Sequence, residues 1–215
     1  MRSIRLIFLS LKSTKFFYFI PLVVLYILIP LSNYSNIKLL GVETSYIVVM
    51  NTAQRLIPIL SVWWVFCLIR EYIESDGNEV LYALRGKKQT NALSILMTTL
   101  WYLLHVAVLY TIYSFLYENM AIEYIKIAIQ SFFLVSLFYF VVYIFKSTSI
   151  SFMMILIYYM MTMFFSRETI FEKISIFSIY EACTVELLLD KYLPIFSIGI
   201  IFFFLARTTE KRFFA

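Results

Sequence analysis

Histidine is nearly absent from this 215-residue chain, and cysteine, glycine, proline and charge are all scarce. The one histidine, His105, excludes a two-histidine zinc site. The two cysteines, Cys67 and Cys183, fall at the end of an apolar run and in a distant loop, with no metal-ligand spacing. They are expected on opposite sides of a membrane, so no internal disulfide is expected. No phosphate loop of the form G-x-x-x-x-G-K-S/T occurs, which removes ATP hydrolysis of that kind from this chain. The four glycines, Gly41, Gly77, Gly86 and Gly199, are too few and too scattered for helices packed through small-residue seams. Charged residues make up 14%, against about 25% in a soluble domain. What remains is 62% hydrophobic, with a mean hydropathy of +0.87. Such a composition cannot supply an ordinary water-facing surface, and it excludes disorder, collagen and a disulfide-rich secreted scaffold. It fits an integral membrane protein.

A helical span takes about 20 apolar residues, so the length allows about six spans and little else. Residues 1–15 interleave Arg2, Arg5, Lys12 and Lys15 with Ile4, Leu6, Ile7, Phe8, Leu9 and Leu11, the pattern of an amphipathic helix lying in the headgroup plane. Apolar runs at 16–31, 45–69, 92–116, 124–145, 150–165 and 192–206 read as spans. No small-x-small cleavage site follows the first, which is therefore expected to stay as an uncleaved span. The connections are a polar loop at 32–44, the most charged stretch at 70–91, a short linker at 117–123, a tight turn at 146–149, a mixed segment at 166–191 and a basic tail at 207–215. In the mixed segment Arg167, Glu168, Glu172, Lys173, Glu181, Glu186, Asp190 and Lys191 punctuate apolar patches, as in short helices lying at the interface or dipping into it. The fold class expected is all-α: a polytopic membrane domain of six transmembrane helices, with an amphipathic interfacial helix before them and short outer helices before the last span.

The 18 Lys+Arg against 13 Asp+Glu do not form a nucleic-acid stripe. Arg2, Arg5, Lys12, Lys15, Arg70, Arg85, Lys87, Lys88, Lys146, Arg207, Lys211 and Arg212 share one set of connections. Only Lys38, Arg167, Lys173 and Lys191 lie on the other, while Arg55 and Lys126 fall within spans. Cations are retained on the cytoplasmic side during insertion, so both termini are expected in the cytoplasm. The expected location is a bacterial cytoplasmic membrane, with lipid and not nucleic acid as a partner.

Catalytic residues are not expected. A cysteine nucleophile needs a base within hydrogen-bond reach, and neither thiol is placed to reach His105, which with Trp101 and Tyr102 reads as a packed, hydrogen-bonded core histidine. The stretch from Arg70 to Lys88 carries more information. Asp76-Gly77-Asn78 makes a turn; Asp76 with Glu79 has capping-box spacing, and Asn78 is an alternative N-cap. A short helix follows at 79–85, with Val80, Leu81 and Leu84 on one face and Gly86 placed to close it. A capped amphipathic helix of this kind presents an apolar knob to a soluble partner.

The sequence R-E-x-x-x-S-x-G-x-E-x-L-x-x-L after a long second span, with an amphipathic start and an interrupted segment before the last span, resembles the six-span permease subunit of type-2 ATP-binding-cassette (ABC) exporters. The resemblance carries over onto Arg70, Glu71, Gly77, Glu79, Leu81 and Leu84, and with Glu74 and Asp76 of the same stretch these are expected to form the element coupled to an ATPase subunit. It departs from the family at Arg85-Gly86, where a small residue and a proline are common. It further implies re-entrant helices in 166–191, two ABC ATPase subunits, and a second permease subunit that is identical or homologous. No cofactor belongs to this chain, ATP and Mg being bound by the partner ATPase.

Asn51, Gln54, Arg55 and Pro58 recur at i, i+3, i+4 and i+7, giving the second span one polar stripe. Arg55 lies about 15 Å deep at 1.5 Å per residue, which is costly unless it faces protein or water. It reads either as lining a translocation path or as a packing or snorkelling arginine. The fifth span adds Met153, Met154, Tyr158, Tyr159, Met160, Met161 and Met163, an adaptable surface for amphipathic ligands. In the resembled family the second and fifth spans line the path, which implies Asn51, Gln54, Arg55, Tyr158 and Tyr159. The function so implied is export of an apolar or amphipathic cargo (peptide, lipid-linked molecule or drug). A substrate-capture subunit of a vitamin importer and a non-transporting scaffold or sensor stay open as alternatives.

Overall fold

The computed structural model describes residues 16–74, 91–164, 175–178 and 182–213. The amphipathic helix expected at 1–15 and the short helix expected at 79–85 lie outside them. The described residues contain helices and no strand. Among the described residues five helices are long and apolar enough to cross a membrane, and a sixth apolar helix, Thr148–Phe164, is shorter.

The first helix, α1, runs Phe16–Leu40 with a π turn at Val24–Leu28. It is longer than the apolar run, because the polar stretch expected as a loop at 32–44 is mostly helical. Asn33 is fully buried and donates to Tyr113 Oη at 2.7 Å, and Ser35 donates back to Leu31 O. Only Gly41 breaks the chain before α2, Val42–Ile73. Its φ of +81° is a conformation glycine adopts without a Cβ penalty. The 32 residues of α2 give a rod of about 48 Å, longer than a hydrocarbon core of about 30 Å. Pro21 near the start of α1 has no N–H to offer the carbonyl of Phe17. Trp63 Nε1 of α2 donates to that carbonyl at 3.1 Å, and Trp64 Nε1 donates to Tyr18 O at 3.0 Å. A proline defect thus becomes the attachment between the first two helices.

The remaining helices are α3 (Ala92–Tyr113), α4 (Met120–Phe145), α5 (Thr148–Phe164) and α6, which joins Val185–Leu187, a π turn Leu188–Tyr192 and Leu193–Phe213. The last span therefore starts before the expected residue 192 and extends past 206, which meets the length that the apolar run alone lacked. Asn119 and Lys146 bracket α4 in left-handed conformations, φ 60° and 56°. The Lys146 amide closes the helix on Val142 O at 2.8 Å.

Helix α4 is the centre, packing against α2, α3, α5 and α6. Two apolar cores result. One gathers Val65, Leu134, Phe138, Tyr139 and Ile155 from α2, α4 and α5, together with Phe177. The other gathers Leu25, Ile29, Ile57, Trp64, Tyr102 and Val106 from α1, α2 and α3. Beyond Ser149 in its first turn, the residues left exposed on α5, such as Ile150, Met153, Ile157 and Phe164, are apolar, as a lipid-facing helix requires.

Candidate functional site

At the end of the bundle where α2 stops, two carboxylates cap helices other than their own. The Glu74 Oε1 accepts from the Thr148 backbone amide at 2.8 Å and from Thr148 Oγ1 at 2.7 Å, so the C-terminus of α2 caps the N-terminus of α5. Partial burial works to raise the Glu74 pKa; the Thr148 donors, the Ser149 amide and the Arg70 charge outweigh it and hold the carboxyl below its ordinary value. Arg70 reaches Glu74 at 3.5 Å from a side chain that is 62% exposed, a contact of little energetic weight. The second carboxylate, Glu210 near the end of α6, is buried. It accepts from the Asn91 amide at 2.7 Å, from Tyr143 Oη at 3.1 Å and from Tyr139 Oη, and Asn91 Nδ2 donates to Tyr143 Oη. Residues 74 and 91 are the two feet of the charged connection, and each is tied to a helix outside the α2–α3 pair. Beside Glu74, Phe17, Trp63, Phe66, Cys67, Arg70 and Glu71 help to line a cavity of about 480 Å³.

Toward the Gly41 end a third carboxylate repeats the pattern. Glu123 Oε1 accepts from Tyr46 Oη at 3.0 Å and from the Cys183 backbone amide at 2.8 Å. Its other oxygen lies 2.5 Å from Lys126 Nζ, both side chains being almost fully buried. Burial pushes the Cys183 thiol up to about 11, with Glu123 adding to the rise and Lys126 opposing it.

Between the two ends, four residues of the connection between α5 and α6 enter the bundle. Ser175, Ile176, Phe177 and Ser178 form neither helix nor strand and are all buried. Gln54 Nε2 donates to Ser178 O at 3.3 Å, and Gln54 Oε1 accepts from Ser178 N at 3.4 Å. Gln130 Nε2 donates to Ile176 O at 2.8 Å, and Lys191 Nζ donates to Phe177 O at 2.6 Å. Tyr192 Oη pairs with Ser178 Oγ at 2.8 Å. Lys191 and Tyr192 are consecutive, yet both engage this segment, because they close the π turn of α6, whose wider turn changes the angle between neighbours.

Of the residues read from sequence, Gln54 and Tyr159 are buried, Asn51 and Tyr158 are half-buried, and the Arg55 side chain is exposed. The stripe is thus divided: Gln54 faces the 175–178 segment, and Arg55 faces away from the interior. Tyr159 Oη donates to the Arg55 carbonyl, joining α5 to α2, and the Tyr158 ring lies tilted against Phe133 with ring centroids 6.2 Å apart. Arg70, Glu71 and Glu74 lie together at the end of α2; Asp76, Gly77, Glu79, Leu81 and Leu84 lie outside the described residues. His105 Nδ1 pairs with Tyr26 Oη at 3.0 Å, and Trp101 and Trp64 meet the ring edge-on, the packed and hydrogen-bonded environment expected. No group of three or more metal-binding side chains occurs among the described residues. Gln130, Glu123, Lys126, Tyr192, Ser178 and Glu210 escape a reading from sequence. A signal existed for three of them: Glu123, Lys126 and Gln130 recur at i, i+3 and i+7 on α4, a polar stripe as regular as that of α2.

These features define a class, an all-α multi-pass membrane protein with hydrogen-bonded polar groups buried among its apolar cores. No family model, curated protein or solved structure matches the chain, so the site itself carries the functional argument.

Proposed function

We propose that this chain is the membrane-spanning permease subunit of an ABC exporter in a bacterial cytoplasmic membrane, with both termini in the cytoplasm. It works with a second membrane subunit, identical or homologous, and with two separate ATPase chains that bind ATP and Mg. The cargo is apolar or amphipathic.

The observation that carries the reading is the pair of carboxylate caps. Residues 75–90 connect Glu74 to Asn91, and both feet are bonded to other helices, Glu74 to Thr148 of α5 and Asn91 to Glu210 of α6. A docking helix in that connection, built from Glu79, Leu81 and Leu84, would deliver a displacement to α5 and α6 as well as to α2 and α3. That is the mechanical requirement for rigid-body switching of a helical bundle by a partner on one face. ATP-driven closure of the ATPases supplies the displacement, and Arg70, Glu71, Asp76 and Gly77 shape the approach to the docking helix.

The test is purification from the native membrane. An ATPase chain recovered in stoichiometric amount, and lost when Leu81 and Leu84 are changed to Asp, supports the reading, since a carboxylate on an apolar knob cannot enter a groove without a desolvation cost. Retention of the ATPase by that variant would remove 79–85 as the dock, and recovery of the chain without any ATPase would remove the exporter.

A further inference from the structure

The segment 175–178 is held in an unusual manner. Ordinary connections satisfy their backbone groups in turns, in ladders or with water. Here the carbonyls of Ile176, Phe177 and Ser178 and the amide of Ser178 are met by side chains from three different helices. Gln54 of α2 brackets both the N–H and the C=O of Ser178, Gln130 of α4 takes the carbonyl of Ile176, and Lys191 of α6 takes that of Phe177. Most of the bonds go to main chain; the pairing of Ser178 Oγ with Tyr192 Oη and the internal contacts of Ser175 are the side-chain exceptions. The side chains of Ile176 and Phe177 are enclosed, Phe177 meeting Tyr159 edge-on at 5.2 Å. Backbone polar groups met by primary amides and an ammonium, with apolar side chains in closed pockets, are the elements of a site for an extended peptide that is indifferent to its sequence.

A second observation is independent of the segment. Among the described residues, Lys126 Nζ is fully buried with Glu123 as its one partner, and Gln130 Oε1, one turn further along α4, has no donor. The ammonium has three N–H donors and one partner, so its remaining donors and the free acceptor of Gln130, a turn apart on one helix, match the carbonyl and the amide of a peptide group, and leaving them unfilled carries a desolvation cost.

We infer that the interior between α2, α4 and α6 is a binding site for the extended backbone of a short apolar peptide, and that residues 175–178 occupy it as a tethered stand-in for that ligand. The inference rests on the exporter reading for its purpose, naming peptide as the cargo class. A cargo peptide and the segment compete for Gln54, Gln130 and Lys191, so the site is filled by the chain itself until cargo displaces it. Lys126 and the free oxygen of Gln130 give a longer peptide contacts that the segment does not use.

The test uses the full chain in lipid nanodiscs, with Cys67 changed to Ser and Cys183 to Ala, and a cysteine pair introduced as Thr162→Cys and Ser175→Cys, positions joined by the bond from Ser175 Oγ to Thr162 O at 3.4 Å and separate from Gln54, Gln130 and Lys191. The probe is a fluorescent peptide of about six residues alternating Ile, Phe and Ser. Its fully N-methylated counterpart has the same side chains without backbone donors. The reduced protein should bind the plain peptide saturably and at least about tenfold more tightly than the N-methylated one. Oxidation, which ties the segment in place, should lower binding of the plain peptide by at least about tenfold, and reductant should restore it. Equal binding of the two peptides, equal binding before and after oxidation, or failure of the disulfide to form would overturn the inference. Binding to a chain that recovers no ATPase would leave the site standing and sink the exporter; an ATPase recovered with a chain that binds no peptide would do the reverse.

Discussion

Replacing Glu74 with Ala should destabilise the bundle through α5, a helix to which Glu74 does not belong. The side chain accepts both the backbone amide and the hydroxyl of Thr148. Loss of a helix cap costs roughly 0.5–2 kcal/mol, and loss of a charge at a helix N-terminus roughly 0.3–1 kcal/mol. The side chain is 28% exposed, which places the total in the middle of that range, about 1–2 kcal/mol. For a chain of this size that corresponds to a fall of roughly 3–6 °C in Tm, readable by thermal unfolding of the detergent-purified protein. Glu74→Gln keeps an acceptor oxygen and loses the charge, so its fall should be about half as large. The pH dependence has a definite sign. The folded-state pKa lies below the ordinary 4.5, so the contribution is complete above that value and is lost as the pH falls through the folded pKa. The Tm gap between the native chain and Glu74→Gln should therefore hold from neutral pH to about 4.5 and close only in more acidic solution. Thr148→Val removes the hydroxyl donor, and a cycle with Glu74→Ala should show coupling of about 0.5–1 kcal/mol. A Tm for Glu74→Ala within about 1 °C of the native value, or strict additivity in the cycle, would refute the cap.

Glu210→Ala should be more severe, because it strips partners from the Asn91 amide and two tyrosine hydroxyls in a buried site; at roughly 1–3 kcal/mol for each group, size-exclusion chromatography should show loss of monodisperse protein, with Glu210→Gln milder. Lys126→Met leaves Glu123 as an unpaired buried carboxylate and should cost roughly 3–5 kcal/mol, and adding Glu123→Gln should recover part of that in the same unfolding assay. Arg55→Ala should change stability by less than about 0.5 kcal/mol, since the side chain is exposed, while lowering transport by the reconstituted complex. Unchanged transport with unchanged stability would assign Arg55 to the lipid interface.

The apolar runs made the helices legible, because most were bounded by charge, and Gly41, Asn119 and Lys146 end or begin helices where a left-handed residue is tolerated. The loop expected at 32–44 was not legible as helix. Its serines and asparagines are poor helix formers, and what makes Asn33 helical is a tyrosine hydroxyl 80 residues away. The same reason hid the site. Glu74, Glu123 and Glu210 bond to backbone amides on elements distant in sequence, and a backbone amide leaves no mark in a pattern of side chains. Gln54 was visible as part of a stripe, but its partner, the main chain of Ser178, was not. Arg55, grouped with Gln54 by spacing, points elsewhere, because neighbours on a helix stand about 100° apart.

The last helix has a consequence for the membrane around it. Tyr192 and Glu210 are separated by about five full turns of regular helix, so they lie on one side of α6 and roughly 27 Å apart. Tyr192 is fixed to Ser178 and Glu210 to Asn91, and Leu193–Ala206 between them carries no charge. The distance between these two attachments is close to the thickness of a hydrocarbon core, about 30 Å. Helix α6 therefore cannot slide along the bilayer normal to accommodate a thicker membrane, and its response to longer lipid chains is restricted to tilting with the whole bundle or thinning the lipid beside it.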